Sequence, residues 1–138
     1  MISNKCQYAL KAVLELATRE KQGCVPISEI AKARDIPARF LEAILRQLKQ
    51  AGITESVRGK DGGYKLARSA SEITMGEIVT LLEGPLTKRA RSNETDVFSA
   101  VWEEAEQRLE EILQGITFEQ LRKNDAALNI DLSQNYSI

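Results

Sequence analysis

The segment Ala38-Arg39-Phe40-Leu41-Glu42-Ala43-Ile44-Leu45-Arg46-Gln47-Leu48-Lys49-Gln50-Ala51-Gly52 runs directly into Ile53-Thr54-Glu55-Ser56-Val57-Arg58-Gly59-Lys60-Asp61-Gly62-Gly63-Tyr64-Lys65-Leu66-Ala67. In its first half Leu41, Ile44, Leu45 and Leu48 fall on one side of a helix, while Arg39, Glu42, Ala43, Arg46 and Gln50 recur on the other at spacings of 3, 4, 7 and 11. One face packs and the other stays free to read a surface. Gly52 stops the helix. Ile53 to Arg58 and Tyr64 to Ala67 are then short β-prone runs around Gly59-Lys60-Asp61-Gly62-Gly63, a glycine-rich loop suited to a hairpin.

Upstream, Tyr8, Leu10, Ala12, Val13, Leu16 and Ala17 give an apolar stripe at helical spacing from about Asn4 to Lys21, ended by Gly23. Ser28 is placed to cap a short helix Glu29 to Arg34, and Asp35-Ile36-Pro37 breaks it because proline moves the residue before it out of the α region. Two helices across a tight turn, followed by a hairpin, predict a mainly α, winged helix-turn-helix domain over residues 1–85 with a small two-stranded β wing. Downstream, Thr74 and Glu77 have capping-box spacing before Ile78, Val79, Leu81 and Leu82, and Gly84-Pro85 closes that helix. Residues 86–95 have no apolar period and predict an exposed linker. From Asp96, a predicted N-cap, a long helix to about Gln114 presents Val97, Val101, Ala105, Leu109 and Ile112, a stripe that calls for a partner and marks a dimerisation helix. Thr117 and Gln120 start a further short helix, so that residues 96–124 form one unit; the tail, 125–138, shows no strong period and is expected to be mobile.

The chain has 138 residues, 43% hydrophobic and 28% charged, the composition of one globular domain with an appended segment. It holds no run of apolar residues long enough for a membrane span and no signal-peptide pattern, so a cytoplasmic location is expected. The absence of histidine removes the commonest general base, the Ser-His and Cys-His nucleophile pairs and His-containing metal sites. The two cysteines, Cys6 and Cys24, are too few for a Cys-only zinc site or an iron-sulfur cluster within one chain. No nucleophile-base constellation is visible, so no catalytic residue, metal site or enzyme activity is expected. The net charge of −1 hides an asymmetry: residues 1–68 balance to +6 and residues 69–138 to −7. A basic half joined to an acidic one suits a polyanion-binding module attached to a partner-binding segment.

A recognition helix fits the major groove, where arginine pairs with guanine and a carboxylate accepts from cytosine. Arg39, Glu42 and Arg46 supply both; the bland alternative is an exposed Glu42–Arg46 ion pair worth tenths of a kcal/mol. Gly59, Gly62 and Gly63 let backbone approach phosphate, and Arg58 and Lys60 can enter a narrow minor groove. The same loop is not a nucleotide-binding loop, because it lacks both the Walker spacing and a following helix N-terminus. Lys5, Tyr8, Ser28 and Gln47 complete the candidate DNA-binding set.

The run Phe40-Leu41-Glu42 to Leu48, then Ala51-Gly52-Ile53 and Ser56 to Leu66 with its wing Arg58-Gly59-Lys60-Asp61-Gly62-Gly63-Tyr64, resembles the IscR/NsrR/CymR, or Rrf-two, family of winged-helix regulators. So do Ser3 to Leu10, Ile73 to Ile78 and Leu82-Glu83-Gly84-Pro85, and the resemblance covers about residues 1–122. It implies a homodimeric transcription factor on double-stranded DNA, usually a repressor, with the long helix pairing with its counterpart. It places Glu42 at the family's acidic reading position and Arg58 at the wing arginine. Cys6-Gln7 depart from the Gly-Arg of many members, and the three cysteines that cluster-binding members carry before the long helix are missing from residues 86–99. The chain therefore resembles the cluster-free, CymR-like branch, which implies control of sulfur and cysteine metabolism and association with cysteine synthase. The ending Asn135-Tyr136-Ser137-Ile138 is similar to the isoleucine-ended peptides that enter the active site of that enzyme, giving Tyr136 and Ile138 as candidate partner-binding residues. Cys24 stands where such members can carry a lone cysteine and is the candidate redox site. The rival reading is a protein-interaction adaptor working through the long helix and tail, with little direct DNA binding.

Overall fold

A computed structural model of the chain describes residues 2–85 and 96–136, with side chains in the last helix described to residue 132. The linker expected at residues 86–95, the Tyr136 side chain and Ile138 lie outside the described residues. The order is α1 (Asn4–Thr18), α2 (Ile27–Arg34), α3 (Ala38–Gln50), β1 (Thr54–Val57), β2 (Gly63–Leu66), α4 (Met75–Glu83), α5 (Val97–Gln114) and α6 (Phe118–Tyr136). This is a mainly helical winged-helix architecture whose antiparallel hairpin pairs Thr54 with Leu66 and Val57 with Gly63.

Packing follows the predicted stripes. Leu41, Ile44, Leu45 and Leu48 of α3 are buried with Val13 and Leu16 of α1, Ile30 of α2, Ile53, Ile73, Ile78 and Phe118 in one core. Burying each large aliphatic side chain stabilises the fold by about 1.5–3 kcal/mol relative to exposure. Thr54, buried at the start of β1, donates its hydroxyl hydrogen to the Leu45 carbonyl at 3.2 Å, so the hairpin leaves α3 with no orphaned polar group at the joint. The wing is anchored at its other strand: Val25 donates to the Tyr64 carbonyl at 2.8 Å and accepts from the Tyr64 N–H at 2.9 Å. A second bridge, Thr74 with Thr117, clips the α5–α6 turn to the start of α4.

Three expectations are corrected. α1 ends at Thr18, and Glu20–Gln22 form a separate 3-10 turn before Gly23. Ser28 is not an N-cap: α2 starts at Ile27 behind Pro26, whose fixed φ of −61° already suits a helix entry, leaving Ser28 exposed in the first turn. The short helix expected after Thr117 is a 19-residue helix, so the described part of the tail is helical to Tyr136. Its first half is held by Phe118 in the core and by Arg34, which meets Asp125 at 3.1 Å and Glu15 at 2.9 Å.

Candidate nucleic-acid interface

Each side of the candidate interface is set by a local rule. Ser3 caps α1 by accepting from the Cys6 N–H at 3.2 Å, which fixes where Lys5 and Tyr8 leave the helix. At the start of α3, Pro37 launches the helix so that Arg39 and Phe40 lie in its first turn. Arg39, Phe40, Glu42, Ala43 and Arg46 are exposed and Gln47 is half-buried. Glu42 and Arg46 do form the i,i+4 pair, at 3.5 Å and with both side chains about two-thirds exposed, a contact weak enough for a polyanion to displace. Lys49 reaches β1 at Ser56 Oγ, 2.7 Å away, and so ties the end of the helix to the wing.

The wing glycines divide by role. A Cβ on Gly63, where φ is +147°, would meet the Val25 carbonyl oxygen at 2.2 Å, and one on Gly62 would meet that of Val57 at 2.2 Å. Gly62 is demanded by the close approach of the hairpin to its own backbone, and Gly63 by the packing of β2 on the Val25 segment. Gly59, at φ +112°, faces open space at the tip beside exposed Arg58 and Lys60, and neither cation is in an ion pair among the described residues. Between α3 and the wing lies an open cleft of about 520 Å³ lined by Glu42, Arg46, Lys49 and Arg58, three cations to one carboxylate. The structure thus brings Glu42, Arg46, Arg58 and Gly63 to one cleft and Lys5, Tyr8 and Arg39 to the opposite flank of α3, and it leaves Ser28 on α2.

Sequence reasoning missed Phe40. Its ring is 45% exposed, stacks on Tyr8 with centroids 6.2 Å apart, and carries the Arg39 guanidinium 4.6 Å from its centroid. The available signal was a large aromatic immediately after Arg39 on a face otherwise charged or small.

On α5, Asp96 caps the helix and its carboxyl sits below the usual carboxylate range, held there by hydrogen bonds from the Ser99 backbone and hydroxyl. Val97, Val101, Ala105 and Ile112 are exposed, as are Phe98 and Trp102. Leu109 departs from that stripe: it is half-buried against the cluster of Cys6, Val79 and Leu113. No helix among the described residues is long and apolar enough to cross a membrane.

Residues 2–124 match the family described as Rrf2, an iron-dependent transcriptional regulator. The chain belongs to the Rrf2 family. It is a DNA-binding transcription regulator of winged-helix type and not an enzyme. An rrf2-like HTH-type regulator of Rhodobacter capsulatus is 43% identical over 89 residues, which span 62% of this chain and 59% of that protein. The structure of CymR, the global cysteine regulator of B. subtilis, superposes with a TM-score of 0.83 at 30% identity, covering 90% of this chain and 97% of CymR. IscR of T. potens gives a TM-score of 0.80 at 33% identity, covering 91% of this chain and 88% of that one.

The family description names iron, which the donors of this Rrf2 chain do not suit. It has no histidine and two cysteines, of which Cys6 is fully buried in an apolar cluster and Cys24 sits apart in the loop before α2. Among the described residues no group of three or more His, Cys, Asp or Glu could hold a metal ion.

Proposed function

We propose that two copies of this Rrf2 chain join through α5 and hold paired winged helices on one pseudopalindromic operator, acting as a repressor without an iron-sulfur cluster. The recognition helices would sit about 34 Å apart, one turn of duplex. The observation that carries this reading is the cleft between α3 and the wing, which Arg46, Lys49 and Arg58 line with a single carboxylate, Glu42. Arg46 and Glu42 are set to meet base edges in the major groove, and Arg58 and Lys60 at the wing tip to meet the adjacent minor groove. Lys5 and Tyr8 on α1 would hold the sugar-phosphate backbone. Replacing Arg46 or Arg58 by alanine is expected to weaken operator binding by about 1–3 kcal/mol each, with the wild-type affinity falling steeply as salt rises. Footprinting across the chain's own promoter, followed by gel-shift titration of both variants, tests this. No protected segment, or wild-type affinity in both variants, overturns the reading in favour of an interaction adaptor.

The likeness to CymR supports a role in cysteine metabolism. Two features of the chain accord with it. Cys24 is half-buried and directly precedes Val25, whose backbone anchors the wing through Tyr64, so thiol oxidation or capping adds bulk where the wing is held. The second is the stretch Asn135-Tyr136-Ser137-Ile138, proposed to dock on cysteine synthase through the side chains of Tyr136 and Ile138. Calorimetry of the full chain against cysteine synthase, with and without Ile138, checks the second. Binding that is absent for the full chain, or unchanged by the deletion, removes that partner.

A further inference from the structure

On the flank of α3 away from the wing lies an open well of about 430 Å³ between the first turns of α1 and α3. Tyr8, Phe40, Ala43 and Ile44 line it together with Lys5 and Arg39. The walls are mostly carbon, yet Lys5 and the exposed Arg39 line the well too, and it belongs to the half of the chain with a balance of +6. It is also preorganised. Tyr8 and Phe40 are stacked nearly parallel, 17° apart, and Arg39 lies over the Phe40 ring. Water in such a well gains few hydrogen bonds, and a free charged group would lose hydration on entering it. The complementary occupant is an apolar tip carried by an anion. In the major groove of a DNA duplex one group has that character, the 5-methyl of thymine.

We propose that the Tyr8–Phe40–Ala43 well is a receptor for a thymine methyl, and that Phe40 and Ala43 are specificity-determining residues of the reading helix. This rests on the assignment of α3 to the major groove. The N-terminal residues of a recognition helix are the ones that reach base edges, and Phe40 and Ala43 lie one turn apart at that end. Arg39 then serves in two ways: it fixes the Phe40 ring and presents its outer edge to the phosphate beside the recognised base. The charged cleft on the wing side and the apolar well on the α1 side thus recognise different features of one half-site.

The test begins with duplexes enriched from a random pool by the full-length wild-type chain. Each thymine of the enriched duplex is then replaced singly by deoxyuridine, which removes the methyl and keeps every hydrogen-bonding group. At one thymine in each half-site the wild-type affinity is expected to fall about fourfold, the factor expected for one buried methyl-sized group. Phe40→Ala is expected to bind more weakly overall and to lose that sensitivity, and Ala43→Ser to reduce it. Both sites are exposed, and thermal unfolding by circular dichroism verifies that each variant is folded. If the wild type tolerates uracil at every position within twofold, or if Phe40→Ala keeps the full methyl discrimination, the well is not a methyl receptor. A pool that yields no enriched duplex overturns the DNA-reading assignment itself and this proposal with it.

Discussion

Gly59, in the wing loop, and Gly63, the first residue of β2, have different obligations. Both have positive φ, which costs an L-residue about 1–3 kcal/mol where the structure holds it there. A methyl group at position 63 also runs into the Val25 carbonyl at 2.2 Å, whereas one at 59 meets nothing. Gly63→Ala is therefore expected to lower the urea unfolding midpoint by clearly more than Gly59→Ala, with the Val25–Tyr64 bridge lost. Amide exchange at Tyr64 reports that loss directly. Glu15 is a second pressure point. Only 6% exposed, it accepts from Arg19 at 2.6 Å and Arg34 at 2.9 Å, and Arg19 also meets Glu29 at 2.7 Å. The Glu15 hydrogen bond holds the Arg19 guanidinium above its usual pKa. Glu15→Gln leaves two guanidiniums beside a neutral amide; because both arginines keep some contact with water, a loss of about 2 kcal/mol is expected in chemical denaturation.

Among the elements, α5 depends most on how it begins. The hydrogen bonds from Ser99 keep the Asp96 carboxyl below the usual carboxylate range. A depressed carboxyl stabilises the fold above its unfolded pKa, and that contribution disappears as pH falls through the lower folded value. The first turn of α5 is thus expected to fray below about pH 4, seen as faster amide exchange at Ser99 ahead of global acid unfolding. This cap was legible in the sequence, as was Thr74, which accepts from the Glu77 N–H at 3.1 Å, because side-chain caps leave a residue-type signature. The packing face of α3 was equally plain from Leu41, Ile44, Leu45 and Leu48. Ser28 misled because Pro26 starts its helix by backbone geometry alone, with no side-chain hydrogen bond to announce it. α6 was cut short because Leu128, Ile130 and Leu132 alternate and lie exposed, so no stripe marks a buried side; its Ala, Leu and Gln content favours helix without showing a period. The wing cleft could be assembled from Arg46 and Arg58 on paper, whereas the Tyr8–Phe40 stack could not, since it joins residues from two helices that only the tertiary packing brings together. Exchange is expected to be slow over residues 118–125 and fast over 127–132 in a monomeric chain, because only the former are tied to the core.

Across the molecule the two charged halves are expected to respond to salt in opposite senses. Binding of the basic face to duplex releases counterions and weakens as salt rises. In the proposed pairing of α5, Glu103, Glu104, Glu106, Glu110 and Glu111 would approach their copies, with Arg108 already engaged by Glu104 at 2.8 Å, and screening would relieve that repulsion. Sedimentation equilibrium is expected to show dimers tightening between low and moderate salt while operator affinity declines. Val101→Asp, placing a further carboxylate on the exposed stripe, is expected to weaken dimerisation at least about tenfold and operator binding with it. The Thr74–Thr117 bridge gives this pairing mechanical reach. Met75 donates to the Ile116 carbonyl at 2.8 Å and Phe118 to that of Ile73 at 2.9 Å, which rivets the turn between α5 and α6 to the start of α4. A tilt of a few degrees at the seam is consequently not absorbed at a loose joint. In the proposed dimer it would be levered outward to the wing tips, so the angle at which the two chains meet would set the operator spacing they can span.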